Sequence, residues 1–296
     1  MRVFILTALV MAAFAANSLL NRAAVGGDQI GALSFALVRT ASGALALCAI
    51  VAARRRFEWP SGNALAVGAL SLSTYMIGFS LAYRELDAGA GALILFGGVQ
   101  LTMFAGALAG GERPQVRRWT GTALALAGLA WMVWPASGAE IQPVHAGLMG
   151  LAAAGWGIYS LNGRRTGDPL SATTANFVLG APLCAIAVLL SPPGSEVNMT
   201  AYGAVLAVIS GAVMSALGYA LWYVLLPQIA ASAAAVSQLT VPVIALAGGA
   251  VLLGEIPDIT TVASAGLVLG GVALGTIGLR ASGTAPPHRT SGSRGS

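Results

Sequence analysis

Lysine is absent from this chain of 296 residues, and cysteine and histidine occur twice each. Only 8% of residues are charged, against about a quarter in an ordinary soluble domain. So low a charge cannot dress a water-facing surface, and the 57% hydrophobic content and mean hydropathy of +0.81 make the chain an integral membrane protein. Cys48 and Cys184 both fall inside apolar runs, where a thiol behaves as a small hydrophobe. With two isolated cysteines and two loop or tail histidines there is no ligand cluster, so neither a metal site nor any cofactor is expected. Nor do the loops bring together a nucleophile, base and acid, so an enzyme is not expected. The formal charge of +5 comes from arginines standing singly or in short runs between apolar stretches, which makes them signals of topology and leaves no nucleic-acid surface.

What the chain does have is apolar runs of membrane length. Taking about twenty residues per crossing, they fall at 3–20, 30–52, 62–83, 88–110, 118–135, 145–162, 170–191, 202–225, 230–252 and 258–279. The expected fold is all-α, with ten transmembrane helices and connections too short for a soluble domain. The first run, after Met1-Arg2, has the outline of a secretory signal. However, Asn17–Arg22 (NSLLNR) is echoed by Tyr159–Arg164 (YSLNGR), so the first run reads as a retained helix. Residues 281–296 read as a disordered cytoplasmic tail rich in Pro, Gly and Ser.

The echo is widest at Ala231–Pro257, whose likeness lies 143 positions earlier at Ala88–Pro114. Both copies end in Gly-Glu-x-Pro: Gly111, Glu112 and Pro114 in the first, Gly254, Glu255 and Pro257 in the second. Two repeats are expected, 1–136 and 144–280, with five helices each. Arg2, Arg54–Arg56, Arg113, Arg117, Arg118, Arg164, Arg165 and the tail arginines lie on one side of the membrane, and Arg22 and Arg84 on the other. The positive-inside rule then puts both termini in the cytoplasm, at the inner (plasma) membrane. Five helices per half make the second half cross in the opposite sense, an inverted repeat, with Glu112 and Glu255 at opposite ends.

These features form a spaced set: ten runs in two halves, an arginine early in the second run (Phe35-Ala36-Leu37-Val38-Arg39-Thr40), and a proline ahead of Gly-Glu (Val241-Pro242 to Gly254-Glu255). The set resembles the drug/metabolite transporter superfamily, EamA type, over essentially the whole chain to Arg280. Within it the chain is similar to amino acid exporters of the YddG kind. The resemblance implies a carrier whose halves enclose a central cavity. It departs from the family where a proline is usual in the fourth helix, since Gly97-Gly98-Val99 stands there.

Polar and aromatic side chains sharing a helix face in so apolar a background are candidates to line that cavity. The first run offers Phe14, Asn17 and Asn21, and its counterpart Trp156, Tyr159 and Asn162. The third gives Tyr75 and Phe79, the eighth Tyr219, Trp222 and Tyr223, and the fourth and ninth Gln100 and Gln238. An unsatisfied primary amide is costly in hydrocarbon, so the two glutamines need another helix or cavity water. Tyr83, Trp119, Trp131 and Trp134, near run ends, read as an interfacial belt. Gly97, Gly98 and Pro242 stand at nearly matched places and read as hinges.

Arg39 is the buried charge, and it needs a partner. Helix-end carbonyls, Glu85 or Asp87, and a substrate carboxylate are the choices, with a structural role preferred. All ten acids lie at run ends or in loops, so strong proton coupling is not expected. The function expected is export or exchange of small neutral or zwitterionic metabolites, such as amino acids including aromatic ones, by alternating access. A proton-coupled drug or metabolite efflux carrier, a channel and a structural membrane protein are the alternatives. The partners expected are a small-molecule substrate and the lipid bilayer, with the protein a monomer.

Overall fold

The computed structural model describes residues 1–60, 62–111, 114–134, 141–163, 167–196, 198–225, 228 and 237–276. Helices dominate, because a backbone in hydrocarbon must satisfy its N–H and C=O groups within its own segment. They are α1 (Arg2–Asn21, continued by a π turn Arg22–Gly26), α2 (Ala32–Arg54), α3 (Asn63–Ala82), α4 (Ala88–Ala109) and α5 (Val116–Val133). The second half has α6 (Pro143–Gly163), α7 (Pro169–Leu189), α8, α9 and α10 (Ile259–Thr276). α8 is a continuous rod of Ala201–Val208, a π-helical Ile209–Leu217 and Gly218–Leu225, while α9 joins Thr240–Gly248 to a π turn Gly249–Leu253. Six of the rods are long and apolar enough to cross a membrane. Between helices, an isolated antiparallel bridge joins Ile30 to Met199.

Local chemistry sets the helix ends. Asp168 accepts the amide of Leu170 and Thr200 that of Gly203, capping α7 and α8, and Pro143 and Pro169 start α6 and α7, where a missing N–H is harmless. Gly111 and Gly254 follow the ends of α4 and α9 with φ of 82° and 72°. Only glycine adopts this left-handed turn freely. The Gly-Glu-x-Pro echo is thus the same helix stop used twice.

Packing follows the repeat. The helix pairs with the most extensive contact are α5 with α10, α3 with α6, α2 with α8, α2 with α7 and α4 with α6. Exchanging each helix for the one five places along turns α5–α10 and α2–α7 into themselves. The same exchange turns α3–α6 into α8–α1 and α4–α6 into α9–α1, which also pack together. α5 and α10 meet glycine to glycine: a Cβ on Gly121 would strike the Gly271 carbonyl and the Gly275 backbone, and one on Gly271 the backbone of Ala125 and Gly121. Large apolar side chains such as Leu9, Leu45, Leu70, Leu151 and Val251 face outward, a surface suited to lipid and unsuited to water.

The glycine pair expected to act as a hinge lies within a continuous α4. The helix runs uninterrupted through Gly97 and Gly98, and both glycines permit close packing, since a Cβ on Gly98 would lie 2.7 Å from Ala153 Cβ and one on Gly97 3.1 Å from Leu129 and Val268. In α9, the helix is interrupted at Leu239, next to Gln238, whose carbonyl Pro242 has no N–H to satisfy. Pro242 itself is buried in the first turn of Thr240–Gly248.

Candidate functional site

The aromatic residues come together from four helices in one chain of ring contacts. Trp156 of α6 stacks on Tyr159 at 5.3 Å and lies 5.0 Å from Tyr75 of α3 and 5.1 Å from Tyr219 of α8. Tyr75 continues to Phe79 at 5.2 Å, and Phe79 to Tyr83 at 4.7 Å. On the other side Phe14 of α1 touches Tyr219 at 5.8 Å and Trp222 at 6.1 Å. Tyr75, Phe79, Tyr159 and Tyr219 are buried, while Trp156 and Trp222 are half-buried. Gln100 and Gln238 are half-buried too. The side chain of Tyr223 lies outside the described residues. Tyr83 is wholly buried and donates to the Ala88 carbonyl at 3.2 Å, so it does not belong to an interfacial belt. Trp119, Trp131 and Trp134 are exposed.

The polar candidates tie helices to one another. Asn17 Oδ1 accepts from Ser210 Oγ at 2.7 Å and Ser215 Oγ at 3.5 Å, both on α8. Asn21 donates to Ser80 Oγ of α3 at 2.9 Å, and Asn162 donates to the Ala64 carbonyl at 2.7 Å. The Tyr159 and Thr173 hydroxyls share a hydrogen bond of 2.8 Å. Arg39 is wholly buried and meets neither helix-end carbonyls nor Glu85 or Asp87. Its Nε donates to Ser215 Oγ at 3.1 Å and its Nη2 to Tyr75 Oη at 3.0 Å, and its Cζ lies 5.1 Å from the Phe79 ring centre. The two acids are instead out in the loop before α4, where Asp87 faces Arg22.

A second constellation, which the sequence reading treated only as topology, closes the end of the bundle marked by Arg22 and Arg84. Glu255, in the turn after α9, takes Arg22 Nε on one oxygen at 2.7 Å and the Ala88 amide, at the start of α4, on the other at 2.8 Å. Arg22 Nη1 also donates to the Arg84 carbonyl at 3.0 Å, just past the end of α3, and Nη2 pairs with Asp87 at 3.4 Å. Glu196, before α8, repeats the device: it takes Arg84 Nη2 at 3.0 Å and the Ser34 amide, at the start of α2, at 2.9 Å. In each clasp a carboxylate of the second half caps a helix of the first half and binds an arginine of the first half. A carboxylate at a helix N-terminus is favoured by the dipole as well as by the bond. The signal was available, since the sequence set Arg22 and Arg84 apart from the other arginines, but their partners are far away in sequence. Glu112, the repeat counterpart of Glu255, lies outside the described residues.

A cavity of about 480 Å³ sits at this end, lined by Arg22, Glu85, Asp87, Glu255 and Asp258 among others. None of the aromatic candidates lines it. At the opposite end, Asp168 accepts Ser171 Oγ at 2.7 Å, and Ser171 Oγ accepts the Glu58 amide at 3.2 Å, tying α7 to the loop after α2. Partial burial works to raise the Asp168 pKa, but the Ser171 hydroxyl and the Leu170 and Ser171 amides outweigh it and hold the carboxyl below its ordinary value.

Two helical halves, an apolar exterior and a transverse exchange of packing partners are the setting for the comparison with known proteins. The family profile described as "EamA-like transporter family" matches twice, at residues 1–134 and 146–277. The chain belongs to that family. It is a multi-pass membrane protein of a transporter family with two repeats, as its resemblance implied. An uncharacterised Pseudomonas aeruginosa protein is 44% identical over 279 residues, covering 92% of this chain and 94% of that one. A protein of Archaeoglobus fulgidus described as an uncharacterised transporter is 26% identical over 249 residues, covering 82% and 86%. One crystal structure superposes with a TM-score of 0.62 at 19% identity over 95% of this chain and 99% of that chain, a likeness of fold alone.

Proposed function

We propose that this EamA-family protein is a secondary transporter that exports or exchanges small neutral or zwitterionic metabolites, best matched by amino acids including aromatic ones, by alternating access. It acts as a monomer in the inner (plasma) membrane, with both termini in the cytoplasm and ten spanning helices in two inverted halves, 1–136 and 144–280. The observation that carries the reading is the convergence of Trp156, Tyr159, Tyr75 and Tyr219 from three helices, joined through Phe14 to half-buried Trp222. Stacked rings with a few polar groups suit a small solute with an apolar side. The clasps support alternation, because one end is held shut by bonds between the two halves. In sequence register the repeat carries the same three parts again, with Arg164, Glu112 and Ala231 answering Arg22, Glu255 and Ala88. Weak coupling to protons is supported by the described acids, Asp28, Glu58, Glu85, Asp87, Asp168, Glu196, Glu255 and Asp258, all lying between helices.

Reconstituted vesicles test this. Counterflow of labelled phenylalanine is expected, unchanged when a pH gradient is collapsed, and falling about tenfold or more in Trp156→Ala, Gln100→Ala and Gln238→Ala proteins that still elute as folded monomers. Flux that tracks the pH gradient selects a proton-coupled carrier, and flux that does not saturate selects a channel. Flux unchanged in all three variants removes the aromatic cluster as the site.

A further inference from the structure

The polar chain that begins at α8 and ends at α3 has a direction. Ser210 and Ser215 donate to Asn17 Oδ1, and Ser215 Oγ accepts from Arg39 Nε. Arg39 Nη2 donates to Tyr75 Oη. A guanidinium has no acceptor, so the Tyr75 oxygen must be the acceptor in that bond and its own proton is left to point elsewhere. Among the described residues that proton meets no acceptor, and Arg39 Nη1 is buried with no partner at all. The chain therefore ends in two neighbouring donors, an N–H and an O–H, beside a full positive charge that no described carboxylate balances. The faces of Tyr75 and Phe79, with centres 5.3 and 5.1 Å from Arg39 Cζ, offset part of the cost of burying the charge. They offer no lone pair in the plane of the guanidinium. A buried cation of this kind is held by a partner or is costly.

We propose that Arg39 and Tyr75 form the subsite for the anionic end of the transported solute, a monocarboxylate whose two oxygens take Arg39 Nη1–H and Tyr75 Oη–H. This deepens the transporter reading and rests on it. One fixed positive charge, with no second cation or helix N-terminus in the chain of bonds, balances one negative charge; it suits a carboxylate and disfavours a phosphate dianion or a dicarboxylate. Trp156, 5.0 Å from the Tyr75 ring and only half-buried, would meet the apolar remainder of the solute. Cationic amines lacking a carboxylate are excluded by the same charge.

The test is binding to the purified full chain, by thermal shift and calorimetry, of matched acids and amides: phenylalanine against phenylalaninamide, and 3-phenylpropionate against 3-phenylpropionamide. Each acid is expected to bind at least about tenfold tighter than its amide. Tyr75→Phe, which keeps the ring, should shrink that ratio several-fold, and Arg39→Gln should bring it near one, with Arg39→Lys between. If Arg39→Gln does not fold, the wild-type ratio and Tyr75→Phe decide. A wild-type ratio near one, binding of neither acid, or a ratio unaltered in the variants that fold overturns the subsite. Flux without acid preference removes the subsite and leaves the transporter reading, while acid-selective binding without flux does the reverse.

Discussion

Glu255 spends its two oxygens on different tasks, one on the Arg22 guanidinium and one on the first amide of α4. Removing it therefore uncaps a helix and leaves a partly buried arginine with weaker partners. Glu255→Ala is expected to lower stability by about 1–3 kcal/mol, read as a fall in thermal midpoint in detergent. Asp87→Asn is the control, because its contact is 3.4 Å long and its side chain half exposed, so a change below about 1 kcal/mol is expected. Sequence reading reached the aromatic residues by helical spacing, but it could not reach this pair. Arg22 and Glu255 look like unrelated loop charges until a fold joins positions separated by most of the chain.

At the scale of elements, α7 shows how an end is fixed and α8 how a middle is brought against its neighbour. The Asp168 carboxylate holds the Leu170 amide and Ser171 hydroxyl, so its folded-state pKa lies below that of the unfolded chain. A depressed carboxyl stabilises the fold above the unfolded-state value, and that contribution is lost as pH falls through the folded-state value. Asp168→Ala should cost about 1 kcal/mol at neutral pH, and the difference from wild type in thermal midpoint should vanish in strong acid. In α8, the π stretch Ile209–Leu217 brings Gly211 against α2, where a Cβ would collide with the Arg39 carbonyl and Ser42 Oγ. Gly211→Ala is expected to destabilise by about 1–3 kcal/mol and to weaken solute binding by displacing Arg39, both measurable on one purified sample. Apolar run length placed the described rods to within a few residues at most ends. It carried no sign of the π stretch, because one extra residue per turn leaves composition unchanged. The glycine pair in α4 was ambiguous for a different reason: glycine marks both bends and close contacts, and a neighbour such as Ala153 shows up only in the fold.

The whole molecule carries two repeats whose exchange turns its largest helix contacts into one another, and in the proposed alternating cycle such a body has two related ways of closing. The clasps hold one of them. In the alternating cycle proposed above their strength must be modest, since they open on every turn, and partly exposed arginines at 22% and 39% of the side chain keep it so. Ser18, buried just below the Arg22 end, can report the opening once it is made the only cysteine. With Cys48→Ala and Cys184→Ala as background, Ser18→Cys should react slowly with a membrane-impermeant maleimide added on the Arg22 side. Neutralising both carboxylates, Glu196→Gln with Glu255→Gln, should speed the reaction about tenfold or more, which corresponds to a loss of about 1.4 kcal/mol from the closed state. Reversing the pair, Arg22→Glu with Glu255→Arg, restores the attraction but turns a cation toward the α4 N-terminus, so its rate should fall between the two. A rate that both changes leave at the wild-type value would mean that packing of α1, α3 and α4, and not the clasps, keeps this end closed.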